Sequence, residues 1–182
     1  MPLRSFGKTL IIFLTVFLVS LLIWIQVKDA YSYGICAVAS KFVGGIKDAR
    51  VEAISRDDEV IEITFSPRRR GSDMLVDVPV KTSAYTFNVP LTLGIMGALT
   101  PFMKRRVRAY GEALILLGAI HFLYVFSLGA LQLTQVFMET GIEGARMTRS
   151  FIYEFLWGFT DNMLVRFEPF LLGFYVFMRF AR

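Results

Sequence analysis

Long apolar runs set the pattern of this chain, and one polar, alternating stretch divides them. The first run, residues 9–25, follows Arg4 and Lys8 and is about the length that crosses a bilayer core. It shares features with a signal peptide, and Ala37-Val38-Ala39 mimics a cleavage site. That mimic lies too far beyond the apolar run to serve, so a retained anchor is expected. Trp24, Tyr31 and Tyr33 suit the aromatic belt at its outer end. Residues 28–46 repeat apolar positions at helical spacing (Ile35, Val38, Ala39, Phe42, Val43, Ile46), which predicts a surface-lying helix ended by Gly44-Gly45.

The next stretch changes period. Residues 50–55, 59–65 and 73–80 alternate apolar and polar positions, with Met74, Val76, Val78 and Val80 on one side of the last. Arg56-Asp57-Asp58 and the segment from Pro67 to Ser72 read as turns. Three short antiparallel strands follow, a sheet that needs a helix, a membrane or a partner to lean on.

Three further apolar runs follow. Residues 85–103 are short for a span and carry Pro90, Gly94, Gly97 and Pro101. Residues 113–138 are the clearest span after the first. Residues 151–159 and 167–180 are parted by Asp161, Asn162, Arg166 and Glu168, and the later part is expected to be the span. The expected fold is therefore a membrane α-helical protein with four transmembrane helices and a small three-stranded antiparallel insertion between spans 1 and 2. Residues 1–26 form the first span, 27–86 an extracytoplasmic helix plus β domain, and 87–182 spans 2–4 with a cytoplasmic basic loop at 104–108.

Composition agrees with a membrane class: 55% of the 182 residues are hydrophobic and 15% aromatic. The net charge of +5 is unevenly placed. Residues 27–87 hold nine basic and nine acidic side chains, so the surplus lies in the membrane part and its flanks. A nucleic-acid binder would carry it on a soluble face, so no nucleic-acid partner is expected. With four spans, Arg4, Lys8, Lys104, Arg105, Arg106, Arg108, Arg179 and Arg182 fall on one side, opposed only by Glu112. The positive-inside rule then makes both termini cytoplasmic, in a bacterial inner membrane.

Candidate chemistry is sparse. One cysteine, Cys36, excludes an intrachain disulfide and a cysteine zinc cluster. One histidine, His121, excludes a histidine-rich metal site. His121 lies inside the third span, where an ionisable group is a functional candidate by default. The plainer reading is a neutral imidazole bonded to a neighbouring helix or a headgroup. Glu168 and Asp161 are the available proton partners, both expected nearer the outer surface. Cys36 and His121 could form a nucleophile–base pair, but their expected depths disagree, and a buried small side chain is the plainer role. Arg166 and Glu168 are two residues apart and do not face each other on a helix, so each needs another partner. Arg68, Arg69 and Arg70 form a solvated turn or a contact for anionic lipid or an acidic partner. Gly94, Gly97, Gly111 and Gly118 suit close helix packing, within the chain or with a partner. No phosphate loop, paired-carboxylate site, metal motif or haem motif is present, so neither catalytic residues nor a cofactor is expected.

Two short motifs carry a resemblance. They are Phe87-Asn88-Val89-Pro90-Leu91 leading to Ala98-Leu99-Thr100-Pro101, and Arg166-Phe167-Glu168-Pro169-Phe170-Leu171-Leu172-Gly173 before the last apolar run. With the order of elements, they resemble the small membrane proteins associated with exosortase H. The resemblance implies a non-catalytic accessory subunit encoded with a membrane cysteine transpeptidase, whose catalytic residues belong to that enzyme. Its partner would be a larger integral membrane protein, with Arg68, Arg69, Arg70, His121, Arg166 and Glu168 as candidate partner or lipid contacts. The alternative is a structural subunit of a large energy-converting, photosynthetic or secretion complex.

Overall fold

A computed structural model describes residues 3–68, 74–142 and 147–181. The first helix, α1 (Leu3–Lys47), is 45 residues long and unbroken. At 1.5 Å per residue it is about 68 Å long, more than twice a bilayer core of about 30 Å. The expected span and the expected surface helix are thus one rod. Gly44-Gly45 do not end it. The chain turns instead at Asp48, which takes a positive φ of 49°.

Three strands follow, β1 (Ala49–Asp57), β2 (Val60–Pro67) and β3 (Val76–Lys81), antiparallel in the order β1-β2-β3. They stand where the alternation places them. A bulge between Val51 and Ala53 shifts the pairing of β1, so Val51 and Ile54 face inward while Ala53 is exposed. Ile61, Ile63, Phe65, Val76, Val78 and Val80 form the covered face, packed on Cys36, Ala39 and Val43 of α1. The sheet leans on the second half of α1 and on Tyr124, Val125, Leu133 and Phe137 of a later helix.

After β3 come α2 (Thr82–Thr86), α3 (Asn88–Leu99) and a 3-10 turn at Thr100–Phe102. Then come α4 (Arg106–Glu139), α5 (Met147–Phe159), a π-helical segment at Thr160–Val165, and α6 (Arg166–Phe180). Helices α1 and α4 run in the same direction: Tyr31 meets His121, and Gly129 lies against Val43. The chain returns between them through α3. A methyl on Gly97 would lie 2.8 Å from Val16 Cβ, and one on Gly94 3.0 Å from Phe17 Cβ. These two glycines let α3 seat on α1 as expected. Gly111 and Gly118 have open space beside them.

The expectation of four membrane-spanning helices is overturned. Among the described residues only two helices are long and apolar enough to cross, Gly7–Lys47 and Arg106–Glu139. Two local causes account for the difference. Thr100–Phe102 winds into the tighter 3-10 form at Pro101, so α3 has 12 residues, about 18 Å. The run after α5 is interrupted by the π segment and by Asp161, Arg166 and Glu168, which leaves α6 with 15 residues, about 22 Å. Both helices lie beside the two spans without matching their length. Two apolar helices place the chain in a membrane with more than one crossing.

Candidate functional site: a buried polar centre and an aromatic ridge

Three helices converge on His121, which is fully buried in α4. Its Nδ1 lies 2.8 Å from the Tyr31 hydroxyl of α1, and its Nε2 lies 3.1 Å from Oε2 of Glu168 on α6. With Nε2 protonated, the imidazole donates to the carboxylate and accepts from the phenol. The second carboxylate oxygen, Oε1, is buried with no hydrogen-bond partner among the described residues. Around the centre runs a file of rings. Trp24 packs edge-on to Tyr31 at 5.1 Å, and Tyr85 packs on His121 at 5.3 Å. Tyr124 then packs on Tyr85 at 5.1 Å, and Trp157 on Tyr124 at 4.8 Å. The file ties α1, α2, α4 and α5 together.

The structure brings together groups that the sequence sets at different depths: Glu168 is fully buried against His121. Cys36 and His121 share one cluster, because Tyr85 touches both: its hydroxyl is 3.8 Å from the Cys36 sulfur. Tyr85 stands between the thiol and the imidazole, so the two do not form a nucleophile–base pair. Its phenol, desolvated by burial, ionises well above the ordinary range.

The two motifs singled out in the sequence meet in space. Pro169 lies inside α6 and has no N–H, so the carbonyl of Val165, four residues earlier, loses its helical donor. Asn88 of α3 supplies one: its side-chain nitrogen is 2.5 Å from that oxygen. Further along, Gly173 of α6 admits Ile95 of α3; a methyl there would lie 2.7 Å from Ile95 Cγ2. Asn88 and Pro169 are therefore two halves of one joint. Nothing in the local sequence around either residue connects Asn88 to Pro169.

The charged candidates are dispersed. Arg166 is exposed on α6, two residues from Glu168 but on another side. Arg68 is exposed where β2 ends, and its backbone N–H donates to the Asp48 carbonyl at 3.0 Å. That end of the sheet is remote from the Arg56–Asp29 ion pair (2.6 Å), which fixes the other end beside the middle of α1. Arg69 and Arg70 lie outside the described residues. At the basic end of the helices, Glu112 takes Arg108 at 2.9 Å, Arg179 at 3.0 Å and the Tyr175 hydroxyl at 3.0 Å, which joins α4 to α6.

A long aromatic feature is on the outside. Phe151, Phe155, Phe159, Met163, Phe167, Phe170, Phe174 and Phe177 follow one another at steps of three or four residues along α5, the π segment and α6, and all are exposed. On a continuous α-helix a run of four-residue steps drifts around the axis. The π segment accommodates an additional residue in its turn, which swings the α6 half back under the α5 half. The ridge from Phe151 to Phe177 is about 39 Å long. The Phe pattern is plain in the sequence; the phase correction that makes it one ridge is not.

The family model for exosortase H-associated membrane proteins matches residues 1–180. That match supports a non-catalytic accessory role linked to an exosortase system. No curated protein matches the chain, and no solved structure does.

Proposed function

The chain belongs to the exosortase H-associated membrane proteins, and from that premise we propose that it binds a larger integral membrane protein, the exosortase of its own system, along the aromatic ridge of α5 and α6. The observation that carries this is the reach of the ridge. At about 39 Å it outruns a bilayer core of about 30 Å. Its α5 end, Phe151 and Phe155, is about two-thirds exposed and lies alongside the later half of α4, level with the sheet. Lipid tails cover the α6 part. Phenylalanines beyond the tails need protein cover, because an exposed apolar patch of this kind marks an interaction surface. A partner with one transmembrane helix that continues into an extramembrane part matches such a ridge along its whole length.

The basic ends support an orientation. Lys8, Lys104, Arg105, Arg106, Arg108 and Arg179 gather at the end opposite the sheet, and the positive-inside rule turns that end to the cytoplasm. The sheet then stands outside, and Arg68 at its far tip suits an acidic partner surface better than a headgroup. His121 and Glu168 act in this reading as an internal tie, holding α6 and its ridge against α1 and α4.

Site-directed crosslinking tests the interface. In a Cys36→Ser background, single cysteines at Phe155 and Phe170 are crosslinked in membranes that contain the co-expressed exosortase. Both positions should yield a heterodimer with it, while an equally exposed position away from the ridge, Ile11, should not. A chain that purifies alone from mild detergent and gives no crosslink at either ridge position would refute the reading.

A further inference from the structure

A small cleft opens where α1 leaves its apolar run, between that helix, the β1–β2 turn and the α2–α3 junction. Its volume is about 170 Å³. Its lining has two parts. Leu21, Ile25 and Phe87 form an apolar mouth, and Phe87 is 75% exposed there. Lys28, Glu59 and Ser83 form the polar end. The order along α1 is the order of a bilayer: apolar at residues 21 and 25, aromatic at Trp24, cationic at residue 28. This is the depth at which hydrocarbon gives way to headgroups.

The charges at the polar end are committed to little else. The neighbouring carboxylate, Asp29, is bridged to Arg56 at 2.6 Å and acts on Lys28 only through charge across space. Glu59 accepts one hydrogen bond from the Ser83 hydroxyl at Oε2, 3.0 Å. Its backbone carbonyl takes Thr82, which fixes the turn against α2. A cation and an anion thus stand on opposite walls of one opening. Drug-sized ligands occupy pockets of about 300–1,000 Å³. A cleft of this size takes a headgroup and leaves the tails outside, against Leu21, Ile25 and Phe87.

We propose that this cleft binds the headgroup of a zwitterionic aminophospholipid, phosphatidylethanolamine in kind, from the leaflet on the sheet side. The phosphate meets the Lys28 ammonium, and the primary ammonium of the lipid donates to Glu59. A choline headgroup has no N–H to donate, and an anionic glycerol headgroup offers Glu59 no cation. The cleft therefore selects ethanolamine over both. The proposal is independent of the partner assigned above, since the cleft lies on α1, α2 and the β1–β2 turn and away from the aromatic ridge.

The test uses the full chain in nanodiscs of equal parts phosphatidylethanolamine, phosphatidylcholine and phosphatidylglycerol, with retained lipid read by native mass spectrometry. The expected result is preferential retention of phosphatidylethanolamine. Lys28→Ala should lower retention of phospholipid generally. Glu59→Gln keeps the Ser83 bond and should reduce the preference for ethanolamine over choline by about 1.5- to fivefold, the range of an exposed ion pair. Thermal unfolding of both variants should match the parent, which separates a lost ligand from a lost fold. Equal retention of ethanolamine and choline lipids by the parent, or an unchanged preference in Glu59→Gln, overturns the proposal. So does displacement of the lipid by water-soluble glycerophosphoethanolamine at equal concentration, which would identify a soluble ligand.

Discussion

The joint between Asn88 and Pro169 gives the sharpest quantitative prediction. Asn88→Leu removes the donor that serves the Val165 carbonyl and fills its place with an apolar side chain of similar size. Val165 is buried, so the carbonyl gains no water in exchange. A buried acceptor left without a partner costs about 1–3 kcal/mol. For a chain of this size each 1 kcal/mol lowers Tm by about 2–4 °C, so a fall of about 2–12 °C is expected. The same argument fixes a second background. Pro169→Ala restores an N–H four residues after Val165, and with it a helical donor for that carbonyl. In that background Asn88→Leu should cost less than half as much. The assay is thermal unfolding in detergent for the parent, the two single variants and the double. An equal cost of Asn88→Leu in both backgrounds would refute the link between the proline and the asparagine, since additivity is the mark of independent sites.

Three other outcomes follow from the packing. His121→Leu strands Glu168 in the interior and should destabilise by about 1–3 kcal/mol, whereas Glu168→Gln retains an acceptor for Nε2 and should cost less; the ranking is read from Tm in the same detergent. Gly97→Ala drives a methyl to 2.8 Å from Val16 Cβ and should cost about 1–3 kcal/mol, while Gly111→Ala, with open space beside it, should be neutral or slightly stabilising. Cys36 is fully buried, so a maleimide should label it only as the protein unfolds, with a labelling midpoint that coincides with the thermal transition.

How far the sequence discloses this architecture depends on the range of the forces involved. The three strands were legible because alternation is local, and Ile61, Ile63 and Phe65 need only the next residues to declare a face. The bulge in β1 was not, because it depends on how β1 pairs with β2. Lys28 to Ile46 reads as a separate helix, since the change from lipid-facing to polar composition looks like a boundary. The backbone ignores it, because no residue between Ile25 and Phe42 stops a helix. The count of four spans failed for a related reason. Apolar length was visible at residues 85–103 and 167–180, but the 3-10 turn at Pro101 and the π segment before Pro169 shorten the helices there. In the buried centre, His121 and Glu168 were both singled out, yet 46 residues separate them and no periodicity joins them. Tyr31 and Tyr85 were the harder cases. A tyrosine at the end of an apolar run is ordinary as a membrane-belt residue, and only the packing of three helices makes Tyr31 a hydrogen-bond partner of the histidine.

The unbroken α1 has a mechanical consequence. The same rod is a membrane anchor over residues 9–25 and the floor of the sheet beyond. The part from Ile25 to Lys47 is about 33 Å long, with no hinge, proline or interior turn along it. A change of about 10° in the tilt of the anchor, well within the range seen for membrane helices, therefore swings the far end of the sheet sideways by about 6 Å. The membrane end acts as the short arm of a lever and the sheet as its pointer. A partner or a bilayer of different thickness that re-angles α1 displaces the sheet as one piece, with no refolding of the chain between them.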